Sequence, residues 1–180
     1  VYPQLRQESC EFVNNHNFFG IAVGGSLGAN KDQMHDVVSF TMEMVRRDRP
    51  VHLLGIGGIS DIFSGVKQGI DTFDCVHPTR LARHGGALVK PAHNQSTREH
   101  INLRNSMYRD DDQPIEKDCG CETCAWASKG YIHHLLKAQE MVAYTLVSIH
   151  NMYFMNQLMH AIREALTNDT LDQCQKEWCV

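Results

Sequence analysis

The period of apolar and polar positions changes along this chain, and the changes mark out its elements. Three short β-prone apolar runs come first: FFGIAVGG at 18–25, VHLLGIGG at 51–58 and DTFDCV at 71–76. Between the first two lies an amphipathic stretch with Met34, Val37, Val38, Thr41, Met44 and Val45 at helical spacing. Asn30 is its expected N-cap, with Gln33 three residues on, and Pro50 closes the unit. A second, shorter helix is predicted from an N-cap at Ser60 through Ile62, Phe63 and Val66, stopped by Gly69. Strands alternating with helices predict βαβ units and a parallel sheet. Ahead of them, Leu5, Cys10, Phe12 and Val13 read as the apolar positions of a helix already under way.

After Val76 the pattern changes. Residues 77–118 read as loop and hairpin, with GALVK (86–90) and HINLRN (100–105) as short antiparallel strands and Asp110, Asp111 and Asp112 as a solvated turn. One long helical region is predicted from about Ala127, through Leu135, Leu136, Met141, Val142, Leu146 and Ile149, to Phe154, Leu158, Ile162 and Leu166. The tail, 168–180, carries weak signals. Three parallel strands alone leave two long sheet edges, and a closed (β/α)8 barrel takes about 250 residues. The expected fold is therefore α/β, the C-terminal part of a larger TIM-type barrel. A first residue of Val1 rather than methionine agrees with that expectation.

Composition narrows the function classes. With 180 residues, 42% of them apolar, the chain can bury a core. It has no run of about 18 apolar residues that would span a membrane, and its N-terminus lacks the pattern of a secretory signal. The formal net charge of −4 argues against a uniformly basic nucleic-acid binder. Locally the balance reverses: from His77 to Arg109, Arg80, Arg83, Lys90, Arg98, Arg104 and Arg109 face one acid, Glu99. Such a stretch is either a solvated charged face or a phosphate-binding surface.

Seven cysteines is an odd count, and three of them fall in CGCETC, as Cys119, Cys121 and Cys124. Clustering of this kind favours metal ligation in a reducing compartment, the cytoplasm, over a disulfide framework. Three soft, convergent thiolates suit tetrahedral zinc with one further ligand. His133, His134, His150 and His160 all lie on the helical region that follows, and spacing does not choose among them.

Two glycine-rich loops follow the first two strands. LLGIGG (53–58) begins a G-x-G with Gly55 and Gly57, but Ser60 stands where a dinucleotide fingerprint has its third glycine. The loop, like AVGGSLG (22–28), reads instead as a place where backbone approaches something closely. In a barrel both loops lie on the C-terminal face, where active sites are built. The third strand carries two carboxylates, Asp71 and Asp74. Strand residues alternate faces, so Asp71 shares a side with Phe73 and Cys75, and Asp74 with Thr72 and Val76. Asp71 stands at the N-terminal end and is expected to cap or pair structurally. Asp74 stands at the C-terminal end, the chemical face of a barrel, and could be a base, a metal ligand or a nucleophile toward a sugar carbon.

Taken together, GID-FDCV-PTR--R (69–83), Cys-x-Cys-x-x-Cys, a tyrosine followed by IHHLL (131–136), and His150-Asn151 resemble the tRNA-guanine transglycosylases, or queuine tRNA-ribosyltransferases. AVGG (22–25) and the Leu-Gly-x-Gly of the second strand fit too, and the resemblance runs from about Val1 to Leu166. It implies a (β/α)8 barrel with an inserted zinc-binding subdomain. Residues 1–118 would be the last βα units with a hairpin insertion, 119–166 the zinc segment and C-terminal helices, and 167–180 a tail. The implied reaction exchanges guanine at the anticodon wobble position of certain tRNAs for queuine or a 7-deazaguanine precursor. Asp74 maps onto the nucleophile that attacks C1′ of the ribose and forms a covalent ester. Cys119, Cys121, Cys124 and His150 map onto the ligands of one structural zinc. Arg80 and Arg83 fall where the family holds RNA, contacts that position phosphates more than they read sequence. Gly24, Gly25, Leu27, Leu54 and Gly55 fall at the base pocket.

Implied partners are tRNA, the free base and a second copy in a homodimer, with no membrane. The family's acid/base and base-recognising aspartates lie in the N-terminal half, so these residues alone are expected to be inactive and no stable monomeric barrel. Ser26, Leu27 and Gly28 stand where bacterial members tend to carry Leu-Ala-Val. The small Gly28 suggests room for queuine itself rather than its 7-aminomethyl precursor, and Asn30 replaces a usual acid. A non-catalytic RNA-binding partner subunit, as in heterodimeric members, is the rival expectation. Retention of Asp74, Pro78, Thr79, Arg80 and Arg83 argues against it, and a purely structural zinc protein is a third possibility.

Overall fold

The computed structural model describes residues 2–25, 27–93 and 98–179. The chain forms two compact units, 1–75 and 76–180.

The first unit opens with α1 (Pro3–Asn15), which has proline in its first turn. Cys10 is its buried residue, whereas Leu5 and Phe12 are exposed, contrary to the apolar face expected there. Then come β1 (Ile21–Val23), α2 (Lys31–Met44), β2 (Val51–Leu53), α3 (Ile59–Gln68) and β3 (Thr72–Phe73). The strands are parallel in the order β1-β2-β3, with Ile21 opposite Val51, His52 opposite Thr72 and Leu53 opposite Phe73. They are shorter than the apolar runs that announced them, β3 most of all, with two residues of the expected six. Asn30 caps α2 as expected, its side chain accepting from the Gln33 amide, and Met34, Val37, Val38 and Thr41 are buried. Met34, Val38, Met42 and Val45 pack with Ile21, Val23, Val51, Leu53 and Ile70 into one core. Helix α3 starts two residues earlier than predicted, with Gly58 rather than Ser60 at the cap, and Asp61 in its first turn. Asp61 is nearly buried and pairs with Lys31 and His35, tying α3 to α2. Gly69 ends α3 in the left-handed region, φ 92°.

The second unit departs further from expectation. His77–Arg83, expected as loop, is a helix, α4, with Pro78 in its first turn. Next come β4 (Gly86–Leu88) and β5 (His100–Asn102), the antiparallel pair foreseen, with Ala87 opposite Ile101. The single long helix breaks into α5 (Glu122–Trp126), α6 (Lys129–Lys137) and α7 (Val142–Thr167). Between the last two, Gln139 takes a left-handed turn at φ 61°. The tail folds as α8 (Leu171–Trp178), which buries Cys174 and Trp178. Leu103, Ile115, Ile132, Leu136, Leu146 and Val147 form the centre of this unit's core. Among the described residues no helix is long and apolar enough to cross a membrane.

Candidate functional site

Parallel strands in register bring their C-terminal ends to one edge. There Gly24-Gly25 follows β1, Leu54-Gly55 follows β2 and Asp74 follows β3. That edge is where open α/β sheets bind ligands. Gly25 and Gly55 sit at φ 80° and 74°, with open space where a side chain would be. Gly24 is glycine for a different reason: a Cβ there would lie 2.7 Å from Cδ1 of Leu54. Leu54 is half exposed over this floor, and the Gly24 carbonyl accepts from Arg6 at 3.2 Å. Leu27 packs against the core of this unit. Ser26 lies outside the described residues. Gly28 has a local cause independent of base size. Its φ is 114°, and a Cβ would lie 2.6 Å from that of Gln33 in the first turn of α2.

Strand β3 keeps only Thr72 and Phe73 of the expected 71–76, so Asp71 and Asp74 flank it rather than lie within it. Asp71 Oδ2 accepts from the Val51 amide at 2.7 Å, a structural pin at the start of β2. Asp74 is exposed and differently held. Its Oδ1 accepts from the Gly55 amide at 3.0 Å and lies 3.1 Å from His52 Nε2. The Gly55 amide first, then His52, hold this carboxyl below the ordinary aspartate value. It is therefore ionised at neutral pH. His52 escapes a reading of motifs, because a lone histidine in a strand carries no pattern. Its register partner Thr72, on the Asp74 side of β3, is the signal that could have found it.

In the second unit, Arg80 and Arg83 lie one turn apart on the exposed side of α4, whose Pro78 and Ala82 are buried. Asn151 of α7 anchors that helix, donating to the Pro78 carbonyl at 2.9 Å and the Gly86 carbonyl at 3.0 Å while accepting from the Leu88 amide at 2.8 Å. The basic stretch is not one phosphate surface. Lys90 stands over the Trp178 ring at 4.3 Å, and Arg104 donates to the Leu136 carbonyl at 3.3 Å.

The metal-ligand candidates converge. Sγ of Cys119, Cys121 and Cys124 and Nδ1 of His150 all lie within 4.8 Å of one another. The other histidines are used elsewhere or exposed. His133 bonds the Leu103 carbonyl at 2.8 Å, His160 faces Glu164 at 3.8 Å, and His134 is exposed. Cys121 caps α5, its sulfur accepting from the Cys124 amide, so one turn of helix brings two thiols together. From α7, His150 donates Nε2–H to the Leu88 carbonyl at 2.7 Å, which turns Nδ1 toward the sulfurs. Nδ1 lies 3.6, 3.7 and 3.4 Å from the three sulfurs. Tetrahedral zinc, with bonds of about 2.3 Å to sulfur and 2.0–2.1 Å to nitrogen, sets N and S roughly 3.6 Å apart. The donor set could hold a metal ion, and its spacing fits zinc. Hydrogen bonding to Cys124 and burial push the Cys119 thiol up to about 12. Burial opposes the imidazolium of His150, but its bonds to Cys119 and Cys121 outweigh this and raise it to about 10. A cation bound here would displace these shared protons.

The family model "Queuine tRNA-ribosyltransferase" matches residues 1–180. A queuine tRNA-ribosyltransferase of Roseiflexus sp. (strain RS-1) is 44% identical over 178 residues, 99% of this chain and 44% of that protein. A putative one of Archaeoglobus fulgidus is 36% identical over 98% of this chain and 44% of its own length. One of Protochlamydia amoebophila is 44% identical over 95% of this chain and 42% of its own length. The chain thus spans less than half the length of these relatives. With a family model matched from end to end, on a fold that carries its Cys3His cluster, the chain belongs to the queuine tRNA-ribosyltransferase family.

Proposed function

We propose that the protein containing this chain exchanges guanine at the wobble position of certain tRNAs for queuine or a related 7-deazaguanine. Asp74 carries this reading. It is an ionised carboxylate at the C-terminal edge of three parallel strands, tied among the described residues through Oδ1 and flanked by two glycine loops. Those strands are read as part of a (β/α)8 barrel.

In the proposed step, a lone pair of Asp74 Oδ2 forms a bond to C1′ of the ribose as the glycosidic C–N bond breaks. Guanine leaves with that electron pair and takes a proton from a general acid outside these residues. The incoming base gives up its ring proton to the conjugate base of that acid, attacks C1′, and displaces the carboxylate, which recovers its electrons. A carboxylate suits both halves, since it can stabilise an oxocarbenium-like centre and leave again. Gly24, Gly25, Leu54 and Gly55 would line the base site, with Leu27 supporting the loop from the core. Arg80 and Arg83 would hold phosphates.

Cys119, Cys121, Cys124 and His150 would hold one zinc. With four protein ligands it leaves no open position, so it stabilises the fold and takes no part in the exchange. A homodimer in the cytoplasm completes the reading, and light scattering of the full-length protein tests its oligomeric part.

The deciding experiment is a denaturing gel of full-length protein with tRNA bearing a wobble guanine. A shifted covalent band that disappears in Asp74→Ala supports the reading. A band surviving in Asp74→Ala removes Asp74 as nucleophile. RNA binding by the wild type without any band would instead support a non-catalytic partner subunit.

A further inference from the structure

His52 has a place beside Asp74 and no part in the proposed reaction. It stands in the middle of β2, directly opposite Thr72. Its Nδ1 lies 2.8 Å from Thr72 Oγ1, and its Nε2 lies 3.1 Å from Asp74 Oδ1. One ring thus joins the side chain of Thr72 in β3 to that of Asp74 just beyond it.

The proton positions follow from donor chemistry. An ionised carboxylate only accepts, so the hydrogen facing it belongs to Nε2. In the neutral ring Nδ1 must then accept, and the Thr72 hydroxyl donates to it. If the ring gains a second proton, Nδ1–H donates and the hydroxyl accepts. In both states Nε2–H faces Asp74, so the carboxylate fixes the tautomer, and the Thr72 hydroxyl holds the other side of the ring in whichever role Nδ1 leaves it.

Both described bonds to the Asp74 carboxylate fall on one oxygen. Oδ1 accepts from the Gly55 amide at 3.0 Å and from His52. Among the described residues, Oδ2 accepts from none. The terminal torsion of an aspartate is soft, so an exposed carboxylate without such anchors would turn and present either oxygen. Two donors on Oδ1 remove that freedom.

We propose that His52, with its ring held by Thr72, is a positioning residue that holds Oδ1 of Asp74 and so aims Oδ2 at the reacting carbon. This rests on the reading of Asp74 as the nucleophile. The Gly55 amide alone would tether Oδ1 but leave the carboxylate free to pivot about that one bond. His52 supplies the second point. A purely structural role, pinning β2 to β3, is the competing explanation, and it makes different predictions.

The test uses the full-length protein and tRNA with a wobble guanine, reading the single-turnover rate of the covalent adduct, the Kd for tRNA and the Tm of each variant. His52→Phe keeps a ring and removes the donor. A lost hydrogen bond to a charged group corresponds to a rate about ten- to a hundredfold lower, with Kd and Tm unchanged. His52→Gln returns an N–H near the Nε2 position and should recover the rate to within about fivefold of wild type, where a shared-strand pin would not be rescued. Thr72→Val keeps shape, loses the hydroxyl that holds the ring and should fall between the two. Adduct formation by His52→Phe at the wild-type rate, or His52→Gln as slow as His52→Phe, overturns the proposal. If His52→Phe does not fold, a wild-type rate in Thr72→Val overturns it and a slowed rate at unchanged Kd supports it. Asp74→Ala separates the two levels. Loss of its adduct beside a normal His52→Phe sinks only the positioning role, whereas a persistent adduct sinks the nucleophile reading beneath it.

Discussion

The Asp74 locus and the Cys3His cluster are built by opposite means. Asp74 is exposed, stands just past a two-residue strand, and is held by one amide and one imidazole. The cluster gathers a loop, a capped helix turn and a long helix around His150, which is wholly buried and fixed through the Leu88 carbonyl. A group that nothing else in its unit depends on is free for chemistry. A group on which several elements converge is committed to the fold. Removing the first should abolish reaction with little change in stability, and removing the second should do the reverse.

The largest expected effect breaks the second half of that contrast. Cys121→Ser replaces a buried sulfur that also caps α5. Structural zinc sites bind their metal with on the order of 10–16 kcal/mol, and losing a ligand forfeits much of it. The variant should hold well below one zinc per chain by metal analysis. Its second unit should melt at a much lower temperature, as should the wild type stripped by a chelator. A wild-type Tm without zinc would show that the cluster is not structural.

Asn151→Ala comes next. It leaves the buried carbonyls of Pro78 and Gly86 and the Leu88 amide without their partner. Unsatisfied buried groups cost about 1–3 kcal/mol each, so a total of roughly 3 kcal/mol or more is expected. Denaturant unfolding should show a lower midpoint with an unchanged slope. A loss under about 0.5 kcal/mol, the level of a neutral surface change, would mean that α4 and β4 do not depend on Asn151.

The same contrast explains what the residues disclosed in advance. CGCETC announced its site because three like donors in six residues are improbable for any other purpose. The βα units were legible because α2 keeps its helical period and Asn30 its cap. Parity together with position along the run told Asp71 from Asp74, although the strand itself keeps only Thr72 and Phe73. Short or polar elements were hidden. Helix α4 has seven residues, too few to show a period, and its Pro78 reads as a loop signal. Helix α8 spaces Leu171, Cys174 and Trp178 helically, but charged residues between them mask the pattern. Gln139 breaks the long helix with a left-handed turn that no periodicity reveals. Counting charge overstated the basic face, since Lys90 and Arg104 turn theirs to Trp178 and Leu136. His52 needed the register, which pairs it with Thr72.

A smaller effect sharpens the Asp74 side. The Gly55 amide and His52 favour its ionised form, so its folded pKa lies below the unfolded value. The stabilisation this gives is present above the ordinary aspartate value and is lost as pH falls through the lower folded one. Carboxyl-detected NMR titration of full-length protein should place the midpoint below that ordinary value and move it up toward it in His52→Phe. A wild-type midpoint above the ordinary value would contradict both hydrogen bonds.

The smallest effect compares two glycines at the same edge. Gly55 has φ 74° and open space where an alanine methyl would project, so Gly55→Ala meets only backbone strain, about 1–2 kcal/mol. Gly24 has ordinary backbone, but its added Cβ would meet Leu54 at 2.7 Å, and that side chain must swing away. If the loops are a base site, the two substitutions fail differently. Gly55→Ala disturbs the amide that holds Asp74 and should slow adduct formation with the KM for the free base unchanged. Gly24→Ala displaces the exposed leucine over the floor and should raise that KM severalfold while the adduct still forms at its normal rate. Identical kinetic defects from both would mean that the loops respond as one strained segment, and the division between a wall that meets the base and a donor that holds the carboxylate would be lost.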